Sequence, residues 1–207
     1  MSKKLSLLLV VLLLIVPLTM AACGDDDKDD DNGNGDGGSV ELNQTFESSS
    51  GVTVKYPEGW AAQDGDSGVE IANSEDALAA LGDSEVTSVP DGTVALMIIP
   101  PMPLEMMGAE MSMADVLGMM SGEMGSDEGA TVGEVQELTV NGKEAARADI
   151  TDEEINSEGY MMAYKIDDNN VVIVAAVASQ GDLESNEDVL LKIIESMTYE
   201  APAADAE

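Results

Sequence analysis

Methionine is the residue with the most distinctive chemistry in this sequence, because eight of its 14 methionines fall within residues 102–124. Thioether sulfurs are soft ligands that select Cu(I), and a chain without histidine has few other soft donors. Five of these methionines are candidate metal ligands: Met106, Met111, Met113, Met119 and Met120. Methionine also fills irregular cores, and several of these residues interleave with Val116 and Leu117 as a buried helix face would. We favour core packing or an apolar groove over copper binding.

Residues for nucleophilic catalysis are scarce. The sequence has no histidine and a single cysteine, so neither a Ser-His nor a Cys-His pair can form. A serine could pair with a lysine, but none of these lysines stands in a recognisable motif: Lys55, Lys143, Lys165 and Lys192. Carboxylate pairs for glycoside hydrolysis are uninformative in a chain with 42 acidic residues. We predict no catalytic residue, no cofactor and no enzyme, and keep a carboxylate-based hydrolase as an alternative.

Two aromatic residues, Tyr56 and Trp60, flank the turn sequence Pro57-Glu58-Gly59. Aromatic rings at such a turn pack over the edge of a sheet, and the same rings can stack on a ligand. We expect them first to be structural caps, and we retain them as candidate ligand-binding residues.

The N-terminus has the features of an export signal. Lys3 and Lys4 precede an uncharged apolar run at residues 5–20, which small residues and Cys23 then follow. The order Thr-Met-Ala-Ala-Cys-Gly at residues 19–24 resembles a bacterial lipobox. That resemblance implies a signal peptide at residues 1–22 and a lipid attached to Cys23. An uncleaved membrane helix is the alternative, and both place the remainder on the extracytoplasmic side of the cell membrane.

Residues 23–39 predict a lipidated cysteine followed by a disordered acidic tether. Residues 24–39 contain seven aspartates and five glycines, with no apolar side chain to bury. Part of this tract matches the spacing of an EF-hand calcium loop at Asp30, Asn32, Asn34, Gly35 and Glu41. No amphipathic helix flanks it, so we treat the match as accidental.

The charge of the chain restricts its partners. With 42 acidic and eight basic residues the formal net charge is -34. Such a surface repels nucleic-acid phosphates and anionic lipid headgroups, which argues against both as ligands. Cationic partners, metal ions such as calcium, or solubility alone remain as explanations.

Strand-like segments dominate the rest of the chain. They lie at residues 45–48, 52–56, 68–72, 93–99, 134–140, 143–151, 160–166 and 171–178, and the fifth and sixth meet at Asn141-Gly142, a strong hairpin signal. The segment at 93–99 is predicted to close at Pro100-Pro101. In the segment at 143–151, alternation predicts Ala146, Ala148 and Ile150 on one side of the sheet and Arg147 and Asp149 on the other. Residues 171–178 are apolar throughout, which predicts a central strand.

Three helical segments accompany these strands. Ser74 is predicted to cap a helix that ends at Leu81. Residues 104–124 are predicted to be helical with a break near Ser112, which would cap the second piece. Ser185 opens a last helix with one apolar stripe. The sum is an α+β fold at residues 40–200 with helices on an antiparallel sheet of about six or seven strands, followed by a flexible tail at 201–207.

Three short segments resemble PsbP-like domains. Residues 50–60 (SGVTVKYPEGW) resemble the family's opening strand, Tyr-Pro turn and tryptophan. Residues 140–147 (VNGKEAAR) resemble its central hairpin, and residues 193–199 (IIESMTY) resemble its closing helix and final strand. The resemblance implies the Mog/PsbP-like α/β/α sandwich and an accessory or docking role rather than an enzyme.

These observations predict a lipid-anchored, non-catalytic binding or accessory module of the cell envelope. Its expected partners are the membrane, through the lipid, and an envelope protein, with no nucleic acid. A metal-handling lipoprotein is the first alternative, using the methionines for copper or the acidic surface for calcium.

Overall fold

The computed structural model describes residues 40–81, 88–107, 111–124 and 130–202. The strands in chain order are β1 (Gln44–Glu47), β2 (Val52–Tyr56), β3 (Ala61–Gly65), β4 (Gly68–Ala72), β5 (Val94–Pro103), β6 (Ala130–Val132), β7 (Gln136–Val140), β8 (Lys143–Asp152), β9 (Ser157–Lys165), β10 (Asn170–Ser179) and β11 (Thr198–Tyr199). The helices are α1 (Glu75–Leu81), α2 (Leu104–Met107), α3 (Met113–Met124) and α4 (Leu183–Glu195).

Eight strands form one antiparallel sheet in the order β3-β4-β5-β10-β9-β8-β6, and β7 pairs with β8 along the same edge as β6. A second antiparallel sheet has the order β1-β2-β11. The α+β class with an antiparallel sheet is therefore confirmed. The sequence predicted six or seven strands, whereas the large sheet has eight. The strands β3 and β6 escaped prediction because they are short and have little apolar patterning.

The large sheet lies between two layers. Side chains that alternate along β10 pack into both of them. Val172 and Val174 pack into the main core, together with Leu190 and Ile193 of α4 and residues of β2. Ile173 points to the opposite face, into a second cluster that α3 covers, and α1 covers a third cluster on that same face. The predicted central position of β10 is confirmed, since β5 and β9 pair with its two edges.

The β7–β8 hairpin forms as predicted. Asn141 and Gly142 have φ angles of 50° and 77°, the positive values that a two-residue hairpin turn needs. Ala146 and Ala148 enter the second cluster, and Arg147 faces the other side of the sheet. The alternation read from the sequence therefore assigns each side chain to the correct face.

The predicted end of β5 at Pro100-Pro101 is wrong, because the strand continues to Pro103. Its pairing with β10 shifts register between Val171 and Ile173, opposite the two prolines. The pairing with β4 ends at Ile98, so among the described strands β5 has a neighbour on only one side there. Proline lacks an N–H donor and is tolerated at such a bulge on an unpaired edge.

The predicted start of the last helix at Ser185 is also wrong, because α4 begins at Leu183. The Ser185 hydroxyl lies in the first turn and donates to the carbonyl of Asp182 at 3.0 Å. The free N–H of Leu183 instead donates to a carboxylate oxygen of Glu158 in β9 at 2.9 Å. A residue distant in sequence thus supplies the cap that local spacing assigned to Ser185.

The other predicted helix signals are confirmed. The N–H of Ala77 donates to the Ser74 hydroxyl at 3.0 Å, which caps α1. The helical segment at residues 104–124 is broken before Met113, and its two parts are α2 and α3. Within residues 40–81, 88–107, 111–124 and 130–202, every helix is too short or too polar to span a bilayer.

Candidate functional site

Ser112 and Asp115 fix the start of α3 by a reciprocal cap. The N–H of Asp115 donates to the Ser112 hydroxyl at 3.1 Å, and the N–H of Ser112 donates to the Asp115 carboxylate at 3.2 Å. This cap positions Met113 and Leu117 against the second cluster, where both are buried. The opposite side of α3 carries Asp115 and Met119 into solvent.

The structure divides the five predicted copper ligands into two groups. Met113 is 2% exposed, and Met111 and Met120 are partly buried against the same cluster. Met106 of α2 and Met119 of α3 are 82% and 58% exposed. Three methionines therefore act as core side chains, and two present their thioethers at the surface on the same side of the sheet.

A groove lies between the start of α3 and the β7–β8 hairpin, with a volume of about 270 Å³. It is lined by Ser112, Met113, Ala114, Glu137, Leu138, Thr139, Glu144 and Ala145. Thr139 and Glu144 are cross-strand partners, and Glu137 is two residues before Thr139, so all three share the face that α3 covers. Leu104 of α2 and Met113 of α3 pack into the same cluster, so both helices cover the same side of the sheet. We refer to the groove and to the exposed residues Glu105, Met106 and Met119 on this side as the methionine surface.

The methionine surface carries an excess of negative charge. Glu105, Glu137 and Glu144 are exposed on it. Of these three glutamates, only Glu144 has an ion-pair partner among the described residues, namely Lys165. The other described cations lie on α4 or on strands next to it: Lys55, Lys143, Arg147 and Lys192.

A cluster of polar groups occupies the opposite face of the sheet. The guanidinium of Arg147 lies over the Tyr160 ring and forms ion pairs with Asp149 of β8 and Glu187 of α4. Burial is the main cause that raises the pKa of the Tyr160 hydroxyl above its ordinary value. Because Tyr160 has no exposed surface, a ligand cannot reach it without displacing α4. This cluster joins α4 to the sheet.

Tyr56 and Trp60 pack against the main core as partly buried side chains. The N–H of Trp60 donates to the carbonyl of Pro57 at 3.3 Å, which closes the predicted turn. These contacts give both rings a packing role at the point where the chain passes from the small sheet to the large one. Whether they also stack on a ligand stays a prediction.

The other predicted sites lie largely beyond the described residues. Cys23 and most of the EF-hand match fall in residues 1–39, and only Glu41 of that match is described. No group of three or more acidic, histidine or cysteine side chains in the described part of the chain is arranged to hold a metal ion. The described residues therefore offer no acidic cluster as a calcium site.

Comparison with solved structures decides the fold. The solution structure of cyanobacterial PsbP (CyanoP) from Synechocystis sp. PCC 6803 superimposes on 82% of this chain and 99% of its own, with a TM-score of 0.50 and 10% sequence identity. The chain has a PsbP-like fold. At this identity the likeness establishes the architecture of the PsbP-like domain and does not transfer a function.

Two further structures resemble the PsbP-like domain at lower scores. LpqN, involved in cell envelope biogenesis of Mycobacterium tuberculosis, matches 73% of this chain and 83% of its own with 16% identity and a TM-score of 0.48. A Bacteroides thetaiotaomicron protein matches 80% of this chain and 51% of its own with 12% identity and a TM-score of 0.43. No protein-family model and no curated protein matches the sequence.

Sequence reasoning missed the groove of the PsbP-like domain. It identified the hairpin and the cap at Ser112, but it gave no reason to place Glu137 and Glu144 beside the start of α3. The missing information is the packing of α3 onto β8 and β9, which joins segments that no local pattern connects. The alternation of β7 was the one available signal, since it assigns Glu137 and Thr139 to one face.

Proposed function

We propose that this protein is a lipoprotein of the cell envelope whose PsbP-like domain is a non-catalytic binding or accessory module. The observation that carries the proposal is the methionine surface, where two large apolar side chains and an open groove face solvent. We take the exposure of both methionines on the side of the sheet that holds the groove as the feature that favours a protein interaction site there. The chain also lacks histidine and has one cysteine, which removes the commonest nucleophile–base pairs.

The binding role is tested by site-specific photocrosslinking in native membranes. We place a photoreactive side chain at position 119 in the methionine surface, and in a second protein at position 184 on the exposed side of α4. A discrete partner that is crosslinked reproducibly from either position supports an accessory module. Recovery of no partner from any surface position, including positions around Tyr56 and Trp60, would contradict the proposal.

The envelope location is proposed from the sequence of residues 1–24. The basic start, the apolar run and the lipobox-like order imply cleavage before Cys23 and two or more acyl chains on the processed protein, enough for stable anchoring. The domain would then lie on the extracytoplasmic side of the membrane, and the acidic tract of residues 24–39 would separate it from the lipid surface.

Metal binding is a second candidate, favoured by the exposure of Met106 and Met119. Two thioethers at the surface provide soft ligands for Cu(I), with Met111 and Met120 half-buried nearby in sequence. Titration of the full chain with Cu(I) under a competing chelator tests this function. Stoichiometric binding that the double substitution M106S/M119S abolishes would establish it, and the absence of stoichiometric binding would remove it.

A carboxylate-based hydrolase is a third candidate, because Glu137 and Glu144 both line the groove. They are diagonal neighbours across β7 and β8, roughly 7–8 Å apart at Cα, and lie on the same face of the sheet. The general acid of such enzymes usually lies in an apolar pocket, whereas both glutamates here are exposed. We therefore rank this candidate last, and turnover of glycoside substrates that E137Q abolishes would reverse the order.

A further inference from the structure

We propose that the methionine surface binds a basic amphipathic segment of a partner protein, one that presents apolar side chains on one side and lysine or arginine on the other. This inference rests on the proposed binding role and specifies the chemistry of its partner. Two properties of the surface carry it, its exposed thioethers and its unbalanced negative charge.

The apolar half of the recognition comes from Met106 and Met119. Both side chains are more than half exposed, whereas Met113 and Leu117 of α3 are buried. Methionine side chains are flexible and polarisable, so they adapt to the apolar face of an incoming helix or strand at low cost. The same chemistry is used by proteins that bind amphipathic helices in a groove.

The charged half comes from Glu105, Glu137 and Glu144. Glu105 and Glu137 have no ion-pair partner among the described residues, and Glu144 pairs with Lys165. An incoming ammonium or guanidinium group can therefore pair with Glu105 or Glu137 without displacing an existing cation. Since the whole chain has a net charge of -34, its field also attracts a cationic segment before contact.

The same charge excludes the other occupants of an apolar surface. Nucleic acid and anionic lipid headgroups are repelled by it. A second copy of this chain would bring an equal negative charge against the surface, and the acidic tract of residues 24–39 has the wrong sign as well. A cationic polypeptide is the class that satisfies both the methionines and the glutamates.

The test is binding of synthetic peptides to the full chain in detergent, measured by fluorescence anisotropy. The probe is a leucine–lysine peptide with its leucines at the spacing of one helix face. One control peptide has the same residues in an order that forms no apolar face. The other control peptide has glutamate in place of every lysine. We expect the probe to bind at the methionine surface, the controls to bind at least about tenfold more weakly, and added salt to weaken the complex.

Variants of the chain locate the site. M106S/M119S removes the apolar contact and E137Q removes a charged contact. Each should lower the affinity for the probe peptide about tenfold. The matched controls V40S and E184Q change an exposed apolar residue and an exposed glutamate elsewhere, and should bind as the parent does. Circular dichroism confirms that each variant is folded.

Two results would overturn this inference. One is equal binding of all three peptides, which would show that neither the apolar face nor the positive charge of the probe is recognised. The other is an equal loss of affinity in E184Q and E137Q, which would show attraction to the charge of the whole chain. The proposed function is judged separately, because a partner crosslinked from position 184 but not from position 119 would preserve the accessory role and reject this surface.

Discussion

The guanidinium of Arg147 lies 4.0 Å from the centroid of the Tyr160 ring, on the face of the sheet that α4 covers. One of its nitrogens donates to Asp149 at 2.7 Å, and another pairs with Glu187 of α4. A single side chain thus joins β8, β9 and the last helix. Arg147 is also the only arginine in the sequence.

Removal of this side chain should destabilise the domain. We expect R147A to lower the free energy of unfolding by about 2 kcal/mol, because it deletes a half-buried ion pair and a cation–π contact together. R147K should lose about half as much, since lysine keeps the charge but lacks the planar fork. Urea denaturation followed by circular dichroism measures both values.

The control for R147A is K165A, which removes an ion pair between Lys165 and the more exposed Glu144. Its expected cost is below about 0.5 kcal/mol because solvent screens such a pair. Equal losses in R147A and K165A would show that the Arg147 cluster contributes no more than a surface contact.

Tyr164 should be replaceable by phenylalanine with a gain in stability. Its hydroxyl is buried, and among the described residues it has no hydrogen-bond partner. A buried unsatisfied hydroxyl costs about 1–3 kcal/mol, so Y164F should raise the free energy of unfolding by about 1 kcal/mol. A loss of stability in Y164F, measured by the same urea titration, would indicate a hydrogen bond to this hydroxyl.

Alkaline pH gives a second test of Tyr164. Burial is the main cause that raises its pKa, and the charge of Glu195 raises it further. Above a pH of about 10 the unfolded chain loses this proton while the folded chain keeps it, so stability falls as the pH rises. Y164F should reduce that fall, and the measurement is the urea midpoint of both proteins at neutral and alkaline pH.

Asp167 should contribute to acid denaturation. Partial burial alone would raise its pKa, but hydrogen bonds donated by Asn169 and Asn170 outweigh burial and lower the pKa below the ordinary value. A lowered pKa in the folded state gives stability that is complete above a pH of about 4 and is lost as the pH falls below it. D167N should therefore show a flatter loss of stability below that pH than the parent chain.

The two glycines Gly159 and Gly118 should respond in opposite ways to alanine. A Cβ at Gly159 would lie 2.0 Å from the carbonyl oxygen of Ala176 in β10, whereas a Cβ at Gly118 would meet nothing within 4 Å. We expect G159A to cost more than about 3 kcal/mol through forced separation of β9 and β10. G118A should add up to about 1 kcal/mol, since alanine is the better helix former. Thermal unfolding compares the two, and a tolerated G159A would contradict the close approach.

Cys23 should determine where the protein resides. In a bacterial host with lipoprotein processing, C23S should lose both the mass of the acyl chains and retention in the membrane fraction. Mass spectrometry of the N-terminal peptide and fractionation measure these two properties. A parent protein with a free thiol and an intact leader would contradict the lipid anchor.

The sequence alone was sufficient for the features that local patterns encode. Alternation and the Asn141-Gly142 turn predicted the β7–β8 hairpin, because a two-residue turn fixes the register of its strands. An uninterrupted apolar run predicted the central position of β10, and single hydroxyl groups predicted the caps at Ser74 and Ser112. Each of these signals acts within a few residues.

Only the tertiary structure decided the features that join distant segments. Glu158 caps α4 from β9 across the fold, and β5 passes through two prolines because β4 no longer pairs with it there. The packing of α3 on the sheet buried Met113 and left Met119 exposed, a distinction that methionine content could not make. Such outcomes depend on which surfaces meet, and in an antiparallel sheet between two layers those meetings are set by contacts far apart in sequence.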